Sequence, residues 1–140
     1  MAPMSALSPL AATLHVAIGG AIGAVLRYQA GRAMTQWLGP QMVAAFPFAT
    51  LLVNALGSLL MGLLAGWLAQ RAPSADGEQL RLLLGVGVLG GFTTFSAFSL
   101  EIVVLIERQQ YLLAGLYAFL SLALGVAGLI AGLALTRGIA

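Results

Sequence analysis

The sequence contains no cysteine, no lysine and a single histidine, and only 7% of its 140 residues are charged. Without cysteine it can form neither a disulfide nor a thiolate metal site, and it offers no thiol nucleophile. Its six arginines form no basic run, which argues against a nucleic-acid partner. The acids match no metal-ligand spacing and no catalytic triad; they are Asp76, Glu78, Glu101 and Glu107. The sequence therefore predicts neither an enzyme nor a nucleic-acid-binding protein.

Hydrophobic residues make up 61% of the chain. A soluble domain carries about 25% charged residues, so this composition predicts an integral membrane protein that crosses the lipid bilayer several times. A helix needs about 20 mostly apolar residues to cross a bilayer. Four stretches qualify, which predicts a single all-α transmembrane domain with spans at about 10–28, 46–69, 82–106 and 111–135.

The third span is interrupted by residues that a plain membrane anchor does not need. Gly90-Gly91 is a poor helix-forming pair, which predicts a break at these glycines. Thr93 and Thr94 then resemble the start of a second helical piece. Irregular backbone at membrane depth is tolerated where it is buried in protein or lines a water-filled path. The break therefore indicates a conduction or binding site, with a glycine-rich packing kink as the alternative.

The arginines are divided evenly between the two sides of a four-span protein. The side of the termini and the middle loop has Arg71, Arg81 and Arg137, and the other side has Arg27, Arg32 and Arg108. Because orientation follows the lysine and arginine bias of the loops, this balance predicts dual topology, in which some copies insert each way. The alternative is a single orientation set by features other than the arginine count.

Polar side chains within the spans are the candidates for contact with an ion. Asn54 is the only strongly polar side chain deep in the second span, and its amide offers N–H donors to an anion. The alternative role is an interhelical hydrogen bond that holds the bundle together. The other candidate donors for a pathway are Thr94, Ser96, Ser99, Tyr117 and Ser121.

Four further residues have two interpretations each. Phe95 and Phe98 are either core residues or rings whose positive edges attract a passing anion. Arg27 either snorkels to the headgroups or sets a positive potential at a pore mouth. Glu101, the one acid in a span, is a proton relay or counter-ion, or else a salt-bridge partner or polar cap.

At this point the motifs resemble one family, the Fluc (CrcB-type) fluoride channels. Gly90–Ser99, GGFTTFSAFS, followed by Glu101, resembles their GGxTTFSTFSxE signature. The first span is similar to their GGxxGAxxRY motif, with GGAIGAVLRY at residues 19–28. The second is similar to their TLxVN motif, with TLLVN at residues 50–54. A polar pair on their fourth helix is matched by Tyr117 and Ser121.

The resemblance implies an antiparallel homodimer with two pores that exports fluoride passively across the inner membrane. It implies that Phe95 and Phe98 line the pores edge-on and that Asn54 contacts the ion. Thr50 would join the polar track by its place in the second-span motif. The resemblance also implies a structural sodium ion at the dimer centre, bound by the backbone carbonyls of Gly90 and Thr93 from both protomers.

Two departures and one competing function qualify this expectation. Ala97 replaces the usual threonine of the signature, and Gly125 replaces a frequent fourth-helix serine, so the polar track is expected to be thinner. The alternative function is a small dual-topology multidrug/proton antiporter. Such an antiporter needs a membrane-embedded acid, typically in its first helix, where this chain has Arg27 and no acid.

Overall fold

The computed structural model describes residues 7–138, and every described element is helical. Four helical units are long and apolar enough to cross a membrane, namely Pro9–Leu38, Phe48–Ala69, Ala75–Glu107 and Tyr111–Arg137. The individual elements, in chain order, are α1 (Pro9–Leu38), α2 (Pro40–Ala45), α3 (Phe48–Ala69), α4 (Ala75–Leu80), a π-helical segment (Arg81–Leu89), α5 (Gly90–Phe92), α6 (Ser96–Glu107) and α7 (Tyr111–Arg137).

The ends of α1 follow from local sequence signals. Ser8 Oγ accepts a hydrogen bond from the backbone N–H of Ala11, and Pro9 takes the first helical position, where its missing N–H costs nothing. At the other end, Gly39 has φ +85° and is followed by a proline, which stops the helix. The helix continues to Leu38, about ten residues beyond the end of the predicted span, because nothing before Gly39 interrupts it.

The predicted break at Gly90-Gly91 is wrong in position. Gly90 and Gly91 are helical, in α5, and the helix is interrupted at residues 93–95. Gly91 has a packing role instead, since a Cβ on it would crowd the backbone of Gly20 in α1. Low helix propensity is a weak preference that tertiary contacts override, and the contacts here place the break beside Thr93 and Thr94.

Two close helix pairs build the bundle, and glycine allows both. Helix α1 packs on the π-helical segment, where a Cβ on Gly19 or Gly23 would overlap the carbonyl of Leu83 or Val88. Helix α3 packs on α7 in the same way, with Gly62 against the carbonyl of Leu129. Small residues allow backbones to approach closely where lipid supplies no hydrophobic driving force between helices.

Few apolar side chains are buried inside the protomer. The buried apolar residues are Val53, Leu89, Leu105, Ala114 and Tyr117, whereas many large apolar side chains on α1 and α7 face outward. A soluble protein would not leave such surfaces uncovered. The outward apolar faces fit a surrounding of lipid or a second copy.

We expect Gly23→Ala to destabilise the protein, because its new methyl group would overlap the Val88 carbonyl and push α1 off the π-helical segment. Overpacking of this kind costs about 1–3 kcal/mol. Gly31→Ala is the matched control in the same helix, since a Cβ there meets nothing within 4 Å. Thermal unfolding in detergent should show a lower midpoint for Gly23→Ala only. Equal midpoints would contradict the close packing of α1.

Candidate functional site

The break is held by one side chain, Asn54 of α3. The backbone N–H of Thr94 donates to Asn54 Oδ1 at 2.8 Å, and Asn54 Nδ2 donates to the carbonyl of Thr94 at 2.9 Å. In an unbroken α-helix the Thr94 N–H would bond the carbonyl of Gly90. The amide of Asn54 therefore satisfies the backbone that the break exposes, and it leaves one amide N–H free for another acceptor.

The lower piece of the broken helix is capped by its own threonine. Thr94 Oγ1 accepts from the backbone N–H of Ala97 at 3.2 Å, which satisfies one of the free donors at the start of α6. Thr93 is extended, with φ −80° and ψ 159°, and its hydroxyl donates back to the Leu89 carbonyl. The predicted threonine cap is thus present on Thr94, whereas Thr93 closes the upper piece.

A cavity of about 480 Å³ opens beside the break, between α3, α7 and the two helix ends. It gathers seven residues that the sequence singled out, and among residues 7–138 no charged side chain lines it. Its walls therefore offer amide, hydroxyl, carbonyl and aromatic groups. The seven predicted residues are Asn54, Gly90, Thr93, Thr94, Phe95, Phe98 and Ser121.

The two phenylalanines differ in exposure although both line the cavity. The ring of Phe95 is 78% exposed and stands at the open side, and the ring of Phe98 is partly buried behind it. Their ring centroids are 5.7 Å apart, and Phe98 lies 5.2 Å from the ring of Tyr117. The aromatic row therefore runs from the cavity mouth to the buried core.

Behind Phe98 lies a compact polar cluster centred on Glu101. Thr50 Oγ1 donates to Glu101 Oε1 and the hydroxyl of Tyr117 donates to Glu101 Oε2, each at 2.6 Å. Tyr117 is fully buried and Thr50 is buried as well. Within the described part of the chain, Glu101 forms no salt bridge. The geometry supports the polar interpretation of Glu101 more than a salt bridge.

Arg27 does not sit at a helix end. It lies within α1, eleven residues before Leu38, and its Nη1 donates to the carbonyl of Thr93 at 3.3 Å. This contact bears on the predicted cation site. The Gly90 carbonyl has lost its helical donor to Asn54 and fits an oxygen ligand, but the Thr93 carbonyl already faces a guanidinium group.

The remaining predicted donors have other partners. Ser99 Oγ donates to the Phe95 carbonyl at 2.9 Å, so its hydrogen bond stays within α6. Ser96 is exposed, and its Oγ lies 3.4 Å from Thr94 Oγ1. By contrast, the buried Oγ of Ser121 has no hydrogen-bond partner within residues 7–138. Of the three serines, only Ser121 has a hydroxyl that is both buried and unpaired among these residues.

Five other residues line the cavity that the sequence analysis did not predict as site residues. Ser58 follows Asn54 by four residues, so helical spacing alone places it on the same face. The apolar lining side chains carry no signal that separates them from lipid-facing residues. The lining residues that were missed are Gly57, Ser58, Met61, Leu122 and Leu129.

These features define a class: a small helical membrane protein with an uncharged polar cavity beside a broken helix. Residues 14–133 match the model of one family, described as CrcB-like protein, Camphor Resistance (CrcB). The chain belongs to this CrcB-like family.

Three relatives that the chain matches over nearly their full length share one name. The chain is 61% identical over 134 residues to the "Fluoride-specific ion channel FluC" of Erythrobacter litoralis, covering 96% of this chain and 98% of the relative. It is 59% identical over 131 residues to the protein of that name from Novosphingobium aromaticivorans, covering 94% and 100%. A third relative of that name, from Phenylobacterium zucineum, is 55% identical and covers 90% and 95%.

We expect Asn54→Leu to lower thermal stability, because the apolar side chain leaves the N–H and carbonyl of Thr94 unpaired at the break. Each unsatisfied buried group costs about 1–3 kcal/mol. Ser121→Ala is the control, since its hydroxyl has no partner within residues 7–138 to lose. Thermal unfolding in detergent compares the two. A wild-type midpoint for Asn54→Leu would show that the pairing does not hold the break.

Proposed function

We propose that the protein is a fluoride-selective channel through which fluoride leaves the cell passively down its gradient. The observation that carries the proposal is the convergence of the motif residues. Stretches from the second, third and fourth spans, far apart in sequence, line one uncharged cavity. The names of the full-length relatives support fluoride as the ion.

The chemistry of the cavity suits a small, strongly hydrated anion. An ion that sheds water needs close donors, and Asn54 has a second amide N–H beside the cavity. Ser121 lies in the same wall, and its buried hydroxyl has no partner within residues 7–138. The edges of Phe95 and Phe98 attract an anion weakly. Conduction requires binding that is weak enough to release the ion, and an uncharged wall meets that requirement better than a lysine or arginine would.

The Glu101 cluster is proposed as polar support. Both carboxylate oxygens accept hydroxyl donors, which fixes Thr50 and Tyr117 beside the inner end of the aromatic row. A proton-coupled antiporter would need an acid facing the transported substrate. Within residues 7–138 no acid lines the cavity, so the alternative of a multidrug/proton antiporter receives no support from this geometry.

We further propose that two copies assemble as an antiparallel homodimer. The cavity is open on one side, with Phe95 at its mouth, and polar walls of this kind cannot face hydrocarbon. A second copy would cover that side. Arg27 lies within α1 and donates to the Thr93 carbonyl, so we leave it out of the count of loop arginines. The remaining arginines number three on one side of the membrane and two on the other, and so small a difference gives little preference for one orientation.

A structural sodium ion at the dimer centre remains part of the proposal. The Gly90 carbonyl, freed by the break, is a hard oxygen ligand of the kind that suits an alkali cation. Thr93 would supply the second carbonyl of each protomer. Since Arg27 donates to that carbonyl within one protomer, its guanidinium would have to withdraw when the dimer forms.

Reconstituted protein should release fluoride from liposomes without a proton gradient, at a rate far above chloride. Phe95→Ile and Phe98→Ile keep apolar volume but remove the ring edge, so each should lower fluoride flux at least about tenfold. Phe119→Ile is the matched control, because this exposed ring lies on α7 away from the cavity. A fluoride electrode measures efflux. Equal chloride flux, or flux that needs a proton gradient, would overturn the channel proposal.

Adding lysines to one side should force one orientation. One variant carries Ala72→Lys and Pro73→Lys in the loop before α4. The other carries Glu107→Lys at the end of α6 and Gln109→Lys in the turn before α7, and all four positions are exposed. In an antiparallel dimer each variant expressed alone should be inactive, and the two expressed together should restore fluoride resistance. Full activity of either variant alone would exclude the antiparallel arrangement.

A further inference from the structure

Ser58 places a hydroxyl in the cavity one helical turn beyond Asn54. Its side chain lines the cavity wall, and it is partly exposed there. The α7 residue beside it is Gly125: a Cβ built on Gly125 would meet only Ser58 Oγ, at 3.6 Å. The Ser58 hydroxyl therefore stands next to a position at which α7 contributes no side chain.

Helices α3 and α7 run in the same direction and pair in steps of four residues. Thr50 and Tyr117 meet at the carboxylate of Glu101. One turn further, Asn54 and Ser121 line the same cavity. The next step pairs Ser58 with Gly125. The three pairs are therefore Thr50 with Tyr117, Asn54 with Ser121, and Ser58 with Gly125. In the first two pairs both helices contribute a polar side chain, and in the third only α3 does.

The Ser58 hydroxyl is also free, which is uncommon for a hydroxyl in these helices. Thr35, Thr93 and Ser99 donate to the carbonyl four residues earlier in their own helix. Ser58 Oγ takes part in none of the side-chain hydrogen bonds among residues 7–138. A free hydroxyl on a cavity wall can donate to an anion without breaking an existing bond.

We propose that Ser58 is a fluoride-contacting residue, which supplies from α3 the donor that Gly125 cannot supply from α7. The inference rests on the proposed fluoride channel and extends its polar track by one turn, from Asn54 and Ser121 to Ser58. At this point of the pathway the hydroxyl, and not the identity of the helix that carries it, determines whether fluoride passes.

The test moves the hydroxyl from one helix to the other. Ser58→Ala removes it, and the double variant Ser58→Ala with Gly125→Ser returns a hydroxyl from α7, where a Cβ makes only an ordinary contact. The matched control is Ser58→Ala with Gly125→Ala, which adds the same carbon without the oxygen. Fluoride efflux from proteoliposomes is measured for each, with size-exclusion elution as the measure of assembly.

We expect Ser58→Ala to lower fluoride flux about tenfold, in line with the loss of one hydrogen bond to a charged group. The Gly125→Ser double variant should recover most of the wild-type flux, and the Gly125→Ala double variant should stay low. Normal flux in Ser58→Ala, or equal recovery in both double variants, would overturn the proposal, because the effect would then be absent or due to packing.

Two further outcomes need their own interpretation, namely a variant that fails to assemble and a wild-type protein that releases no fluoride. If Ser58→Ala does not elute like the wild type, Ser58→Cys replaces it, since a thiol keeps the volume and donates only weakly; the same comparisons then decide. If wild-type protein releases no fluoride, the proposed function itself fails. Wild-type flux with no dependence on the hydroxyl of Ser58 refutes this inference alone.

Discussion

The two hydrogen bonds between Asn54 and Thr94 are the constraint on which the rest of the site depends. They let a transmembrane helix stop and restart without leaving backbone groups unpaired in hydrocarbon, which would cost several kcal/mol for each group. Because the helix is interrupted, the Gly90 carbonyl loses its helical donor, and Phe95 lies outside the helix at the cavity mouth. The same amide that permits this geometry has a second N–H, so in the proposed channel one side chain serves both folding and ion contact.

Much of the fold was accessible from the sequence because a bilayer restricts the possible structures. Long apolar runs must be helices, and a lone asparagine in such a run must find a partner. The position of the break was not accessible. Glycine propensity favoured Gly90-Gly91, but the helix ends where Asn54, some 40 residues away in sequence, competes for the backbone of Thr94. Local preference cannot show a competition between distant residues.

The polar track shows the same limit at the level of single hydroxyls. Ser99 and Ser58 look alike in the sequence, as serines on helix faces close to the break. In the structure Ser99 donates to its own helix, whereas Ser58 faces the cavity with its hydroxyl free. Residue type predicts that a donor exists, and only the neighbouring carbonyls decide whether it is available. The predicted residues therefore line one cavity, as expected, but Ser99 does not serve as a donor there and Ser58 takes that role in our proposal.

The open side of the cavity is where the proposed second copy would contact the polar groups of the first. Its walls hold an amide, free hydroxyls and backbone carbonyls, and lipid can satisfy none of them. The glycine contacts that close α1 on the π-helical segment and α3 on α7 leave no space in which a single protomer could enclose a wider path. A tight bundle and a polar pathway are compatible in a chain of this length only if the pathway lies at the surface of the protomer. In the proposed dimer, the remaining wall of that pathway comes from the second copy.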